Sequence, residues 1–170
     1  GIGLVNKVGF SAGMFHVVKH GLMKSLLFLS AGAIIYKTGK RDIRSFQGIA
    51  YQMPITMVLF TIGALGMIGI PGLNGFMSKW YLSFAVLETN QPIYLFVILI
   101  SSFLNAIYYL PIIITAFLME NDEKKEEMEI EDIPKSMMIP MVIIGFLCIA
   151  TGFFPQLIMN IIQKAVPTFL

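Results

Sequence analysis

The sequence has few charged residues and a single cysteine. Lys, Arg, Asp and Glu make up 13% of its 170 residues, whereas hydrophobic residues make up 56%. A soluble domain of this length carries about a quarter charged residues, so the composition excludes an ordinary soluble protein and predicts an integral membrane chain. The lone Cys148 excludes an intrachain disulfide and a cysteine-based metal site, and we expect it to be a small buried hydrophobic residue.

Other functional classes are excluded by features that the sequence lacks. The net charge is only +2 and no basic run is interleaved with aromatic residues, so we expect no binding of nucleic acid. No pattern is suited to holding a flavin, a haem or an iron–sulfur cluster. We therefore expect no cofactor, and no redox catalysis by the chain itself. Residues 1–7 lack an initiator Met and any signal-peptide pattern, which predicts a piece of a longer protein.

Four hydrophobic stretches are long enough to cross about 30 Å of hydrocarbon. They are continuously apolar rather than alternating, so we expect an all-α membrane fold, a single transmembrane domain over residues 1–170. The predicted spans are residues 13–36, 51–87, 92–118 and 135–159, with an interfacial tail over 161–170. The second stretch is too long for one span and too short for two, so we predict a discontinuous helix broken at residues 71–75. Pro111 is a predicted kink in the third span.

Basic residues concentrate in two predicted loops, 37–48 and 119–134, which lie on the same side of the membrane. They hold Lys37, Lys40, Arg41, Arg44, Lys124 and Lys125. The positive-inside rule then predicts a multi-pass protein of the cell membrane with both loops in the cytoplasm. We expect the acidic second loop to be a solvated connector rather than a metal or partner site.

Ionisable residues also occur inside the first predicted span. His16, Lys19, His20 and Lys24 are spaced i, i+3, i+4 and i+8, within about 140° of one helical face. Histidine titrates near neutral pH, and such a row can pass protons through intervening water. Two alternatives stay open: the histidines hydrogen-bond packed helices, and Lys19 snorkels to the interface. We expect no metal site, because no span offers a carboxylate or a third histidine.

Lys79 follows a Gly/Pro-rich interruption of the second span. A lysine amine in hydrocarbon costs at least a few kcal/mol and usually marks an ion path. Non-helical backbone at membrane depth is tolerated only where it is buried in protein or lines a watery cavity, and Asn74 is expected to hold water there. The alternative is an interfacial anchor beside Trp80 and Tyr81. The residues of second rank, which either hydrate a path or bond neighbouring helices, are Lys19, Ser30, Asn74, Ser102 and Asn105.

Two of these motifs resemble a known family. Residues 15–29, FHVVKHGLMKSLLFL, are similar to the histidine-and-lysine helix of antiporter-like subunits, which occur in respiratory complex I, Mrp-type Na⁺/H⁺ antiporters and membrane-bound hydrogenases. Residues 68–80, IGIPGLNGFMSKW, resemble the second broken helix of that family, and residues 40–48 its cytoplasmic connector. The resemblance covers most of residues 13–110. It implies the last four helices of a fold of roughly fourteen helices built from two inverted repeats.

The resemblance also implies a function. By position, His16, His20 and Lys24 belong to a polar row along the centre of the membrane, and Lys79 is the terminal lysine of the second half-channel. The chain would translocate protons, with Na⁺/H⁺ exchange left open, in a redox-driven complex or an Mrp-type antiporter. Its implied partners are the missing N-terminal helices, other membrane subunits and the lipid bilayer. Two alternatives remain: a non-conducting assembly fragment whose buried charges only fix helix packing, and a stand-alone small channel.

Overall fold

The computed structural model describes residues 7–119 and 132–165, and within these ranges the chain is helical apart from short connections. The all-α fold class predicted from the sequence is confirmed. In chain order the elements are α1 (Lys7–Thr38), a 3-10 turn (Ile43–Phe46), α2 (Ile49–Gln52), α3 (Pro54–Ile68), α4 (Asn74–Glu88), α5 (Pro92–Phe117), α6 (Lys135–Phe153) and α7 (Gln156–Ala165).

Three of the described helices, α1, α5 and α6, are long and apolar enough to cross a membrane. Helix α3 is apolar as well, but its 15 residues extend only about 22 Å, less than the hydrocarbon thickness of about 30 Å. Helix α4 also has 15 residues. Together α3 and α4 form the discontinuous second element that the sequence predicted, with the break at residues 69–73.

The break follows from glycine and proline chemistry. Helix α3 ends at Gly69, which adopts a left-handed conformation with φ +95° and donates its backbone N–H to the Leu65 carbonyl at 3.0 Å. Pro71 has no backbone N–H and cannot continue the helical hydrogen bonds. Gly72 is also left-handed, with φ +90°, and the chain becomes helical again at Asn74.

Glycine contacts hold the two sides of the break together. A Cβ atom added to Gly75 would lie 1.8 Å from the Gly66 carbonyl oxygen, so the backbones of α4 and α3 touch directly. A Cβ atom on Gly152 of α6 would lie 2.6 Å from the Gly72 carbonyl oxygen. Small residues that permit such close approach are typical of helix packing in membranes.

Helix α1 packs against α3, α4, α6 and α7. It is longer than the predicted span of 13–36, because Gly9 and Gly13 are tolerated inside the helix. The buried core between α1, α3, α5 and α6 includes Met23, Leu26, Met57, Phe60, Ile112 and Met141.

The last predicted span, 135–159, is divided in the structure. Helix α6 ends at Phe153 because Pro155 cannot donate the next helical hydrogen bond, and α7 begins at Gln156. Helix α7 contains the beginning of the predicted tail over 161–170, whose interfacial position stays a prediction, while residues 166–170 lie outside the described part. Helix α5 continues through Pro111, where the sequence predicted a kink.

Asp132 lies in the predicted loop 119–134, of which residues 119 and 132–134 are within the described ranges; the expectation of a solvated connector there stays a prediction. The Asp132 carboxylate accepts hydrogen bonds from the backbone N–H groups of Ile55 at 3.0 Å and Thr56 at 3.3 Å, and from the Thr56 hydroxyl at 2.5 Å. Asp132 thus caps the N-terminus of α3 from a distant part of the sequence.

We predict that Gly75→Ala lowers the stability of the full-length protein by about 1–3 kcal/mol or more, because its methyl group would overlap the Gly66 carbonyl. The matched control is Gly32→Ala in α1, where nothing lies within 4 Å of the new methyl group; it should gain about 0.5–1 kcal/mol from helix propensity. Thermal unfolding midpoints in detergent measure both. Equal midpoints for the two variants would contradict the direct contact of α3 and α4.

Candidate functional site

The Lys79 side chain bridges both halves of the broken helix and α5. Its Nζ atom donates to the Met67 carbonyl at 2.8 Å, the Ile68 carbonyl at 3.1 Å and the Ser102 hydroxyl at 2.7 Å. An ammonium group has three protons, so these three acceptors match its full donor capacity. The amine is thus turned toward the break, whereas the adjacent Trp80 is 50% exposed.

The two carbonyl groups that accept hydrogen bonds from Lys79 lack helical donors because of the break. In an α-helix the Met67 carbonyl would accept from residue 71, which is a proline without an N–H. The Ile68 carbonyl loses its donor because α3 ends there. Unsatisfied carbonyls are costly away from water, so Lys79 supplies the hydrogen bonds that the backbone cannot.

His16 on α1 contacts α4 at Ser78, the residue that precedes Lys79. Its Nδ1 atom lies 3.1 Å from the Ser78 hydroxyl, which in turn donates to the Gly75 carbonyl at 2.9 Å. When Ser78 donates its only proton to Gly75, the Nδ1 atom of His16 is the donor; the roles follow the tautomer of His16. The His20 ring lies 5.6 Å from the His16 ring, centroid to centroid. Both histidines lie within electrostatic range of Lys79.

Lys24 lies farther along α1, within electrostatic range of His20 and with its Nζ atom 5.8 Å from the centre of the Phe28 ring. It lines a cavity of about 520 Å³ together with Asn105 of α5 and Arg41 of the first loop. The structure therefore brings His16, His20 and Lys79 into one cluster, and it joins Lys24 to a cavity that extends to the loop.

Residues of second rank occupy different places. Ser102 bonds Lys79 directly and donates its own proton to the Ile98 carbonyl at 3.1 Å. The Asn105 amide donates to the Ser101 carbonyl of its own helix at 2.8 Å while it lines the cavity. Ser30 is buried, and its hydroxyl has no hydrogen-bond partner among the described residues.

Lys19 does not snorkel to the interface, so that alternative is wrong. Its side chain is fully buried; its Nζ atom donates to the Thr151 carbonyl of α6 and lies 4.4 Å from the centre of the Phe15 ring. Asn74 is also buried and donates from its amide to the Lys19 carbonyl at 3.5 Å. Both residues thus join α1 to its neighbours.

Sequence reasoning missed Ser78 and Thr151 as partners of the ionisable residues. One signal points to the carbonyl acceptors: Pro71 and Pro155 each lie four residues after a carbonyl that accepts from a lysine, those of Met67 and Thr151. Across the two described ranges, no group of three or more His, Cys, Asp or Glu side chains is arranged to hold a metal ion.

Known proteins are similar to this chain in sequence. A family model described as the transmembrane part of NADH:quinone oxidoreductase and Mrp antiporters matches residues 1–105. The NADH-quinone oxidoreductase subunit N of Desulforudis audaxviator is 35% identical over 98% of this chain and 36% of its own length. One Na⁺/H⁺ antiporter subunit of Alkalihalophilus pseudofirmus is 33% identical over 94% of this chain and 22% of its own length. The chain therefore spans little more than a third of the first relative and less of the second.

Solved structures share the fold. A chain of the Mrp complex from Dietzia sp. superposes with a TM-score of 0.82 at 23% identity, covering 95% of this chain and 38% of that one. A chain of an archaeal membrane-bound sulfane sulfur reductase superposes with a TM-score of 0.74 at 32% identity, covering 85% of this chain and 24% of that one.

We predict that the cavity beside Lys24 is accessible to water, whereas Ser78 is not. A cysteine introduced at Asn105 should react with a small charged thiol reagent at least about tenfold faster than one introduced at Ser78, which is fully buried and must await local opening. Peptide-resolved mass spectrometry of the labelled full-length protein measures both rates. Similar rates at the two positions would contradict a hydrated cavity.

Proposed function

We infer proton translocation for this chain, which belongs to the transmembrane family of NADH:quinone oxidoreductase and Mrp antiporter subunits. One observation carries the inference. The Lys79 amine is held at a helix break by two backbone carbonyls and a hydroxyl, beside a Ser78 that bonds the His16 ring. An amine in such a setting has acceptors for its charged form and neighbours able to exchange a proton with it.

The chemistry needs only proton movement. A proton that enters the cavity reaches Lys24, passes through water to His20 and His16, and continues to Lys79. Positive charge on His20 is repelled by Lys24 on one side and by Lys79 on the other. A proton that binds one group of the row therefore favours release of the proton from the next group, and charge moves along the row.

The cavity suggests the side from which protons enter. Arg41 of the basic loop 37–48 lines the same cavity as Lys24. We propose that this loop faces the cytoplasm, as the positive-inside rule predicts, and that the cavity is the cytoplasmic entrance in the cell membrane.

The donor set favours protons over sodium ions at this site. Sodium, a hard cation, is coordinated by oxygen ligands, whereas amine and imidazole nitrogens bind protons. We propose that any Na⁺ movement in the assembled protein uses other helices. Because the relatives are much longer, we propose further that the remaining half of the path, and the redox or antiport step that drives it, come from the rest of the protein and from partner membrane subunits.

A scaffold role is the second candidate, and one observation favours it. Both Lys19 and Lys79 hydrogen-bond helical carbonyls, as residues that only fix helix packing would. In that case apolar substitutions would leave transport unchanged as long as the protein assembles.

Substitution of Lys24 and Lys79 distinguishes proton translocation from the scaffold role. We predict that Lys79→Ala lowers coupled proton transport by about 100-fold or more and that Lys24→Met does so to a similar degree, as expected for positioned proton-transfer groups. Transport is measured in inverted membrane vesicles containing the full-length protein, after normalisation to its abundance. The control is Lys164→Met on the exposed side of α7, which should transport normally. Normal transport by Lys79→Ala would leave the scaffold role as the function.

A further inference from the structure

The end of α6 contains a carbonyl group that its own helix cannot satisfy. The last helical hydrogen bond runs from the Phe154 N–H to the Ala150 carbonyl at 2.8 Å. The next donor in the series would be residue 155, which is a proline and has no N–H to offer the Thr151 carbonyl. Thr151 therefore needs a donor from another part of the molecule.

The Lys19 amine of α1 supplies that donor. Its side chain is fully buried, donates to the Thr151 carbonyl and lies 4.4 Å from the centre of the Phe15 ring, a distance suited to a cation–π contact. A lysine is rarely buried completely, so the position requires a compensating role.

Lys19 differs from Lys79 in what surrounds its amine. Lys79 reaches the Ser102 hydroxyl as well as two carbonyls, and it lies beside the His16–Ser78 pair. The Lys19 amine instead donates to one carbonyl and lies over one aromatic ring, with the Cys148 thiol close to it. A phenyl ring neither gives nor takes a proton and a thiol is only a weak hydrogen-bond partner, so the surroundings of Lys19 suit a fixed hydrogen bond rather than proton exchange.

Two neighbours of Lys19 lie at the helix break. Gly152, next to its acceptor Thr151, packs so tightly on the break that an added Cβ would lie 2.6 Å from the Gly72 carbonyl oxygen. From the other side, the amide of Asn74, the first residue of α4, donates to the Lys19 backbone carbonyl at 3.5 Å.

We propose that Lys19 is a positioning residue for Lys79. Its amine replaces the hydrogen bond that Pro155 cannot make and so fixes α6 against the break, which keeps the Met67 and Ile68 carbonyls where the Lys79 amine needs them. The effect on transport rests on the proposed function, whereas the effect on the junction of α6 and the break does not.

Cys148 is a built-in reporter for that junction. It is fully buried, one turn before Thr151, and lies beside Asn74 and Lys19. Its alkylation by N-ethylmaleimide, followed by peptide-resolved mass spectrometry in membranes holding the full-length protein, measures how often the junction opens.

The test compares Lys19→Met with Lys164→Met, the same substitution at an exposed lysine. We expect Cys148 to be alkylated about tenfold faster in Lys19→Met, as loss of an ordinary hydrogen bond permits, and proton transport to fall by about fivefold or more. Adding Pro155→Ala supplies an N–H to the Thr151 carbonyl, so the double variant should recover both Cys148 protection and most of the transport. A proton carrier at position 19 would not be rescued in this way.

Three results would overturn the proposal: Cys148 protection in Lys19→Met equal to that in Lys164→Met, normal transport despite an exposed Cys148, or no rescue by Pro155→Ala. If Lys19→Met does not accumulate in the membrane, the double variant decides alone, because its recovery supports the proposal and its failure refutes it. Normal transport by Lys79→Ala would instead refute the proposed function and leave the Cys148 measurements to be judged by themselves.

Discussion

Hydrogen bonds from lysine amines to backbone carbonyls hold together the polar interior of this helix bundle. Two prolines, Pro71 and Pro155, withhold an N–H from carbonyls four residues earlier, and in each case a lysine on another helix or half-helix supplies the donor. Inside a membrane the alternative is an unsatisfied carbonyl, which costs several kcal/mol. The breaks and the lysine amines therefore stabilise each other.

The surroundings of the two amines differ. Those of Lys79 suit the proposed proton exchange, whereas those of Lys19 suit a structural hydrogen bond. Lys79 has a hydroxyl partner in Ser102 and lies beside the contact between Ser78 and His16. Glycine contacts at the break bring the backbones of α3, α4 and α6 close enough for this geometry. The proposed proton row thus depends on close glycine packing at the break.

The sequence predicted the helical membrane fold and the discontinuous second element, because these depend on local patterns such as IPGLNG. It did not predict the partner of Lys19, because Thr151 is 132 residues away and a backbone carbonyl has no sequence signature. The cap that Asp132 places on α3 was missed for the same reason, since Thr56, its nearest partner in α3, is 76 residues away. Local chemistry identified which groups need partners, but the tertiary fold determined which partners they found.

The separation between Lys19 and its acceptor has a consequence for biogenesis. Synthesis of 132 residues takes roughly 7 to 26 s at about 5–20 residues per second, so α1 is made long before α6 exists. During that interval the Lys19 amine has no Thr151 carbonyl to bond. Until α6 is made, the Lys19 amine therefore needs water or another acceptor, which favours keeping α1 at a hydrated site during that interval.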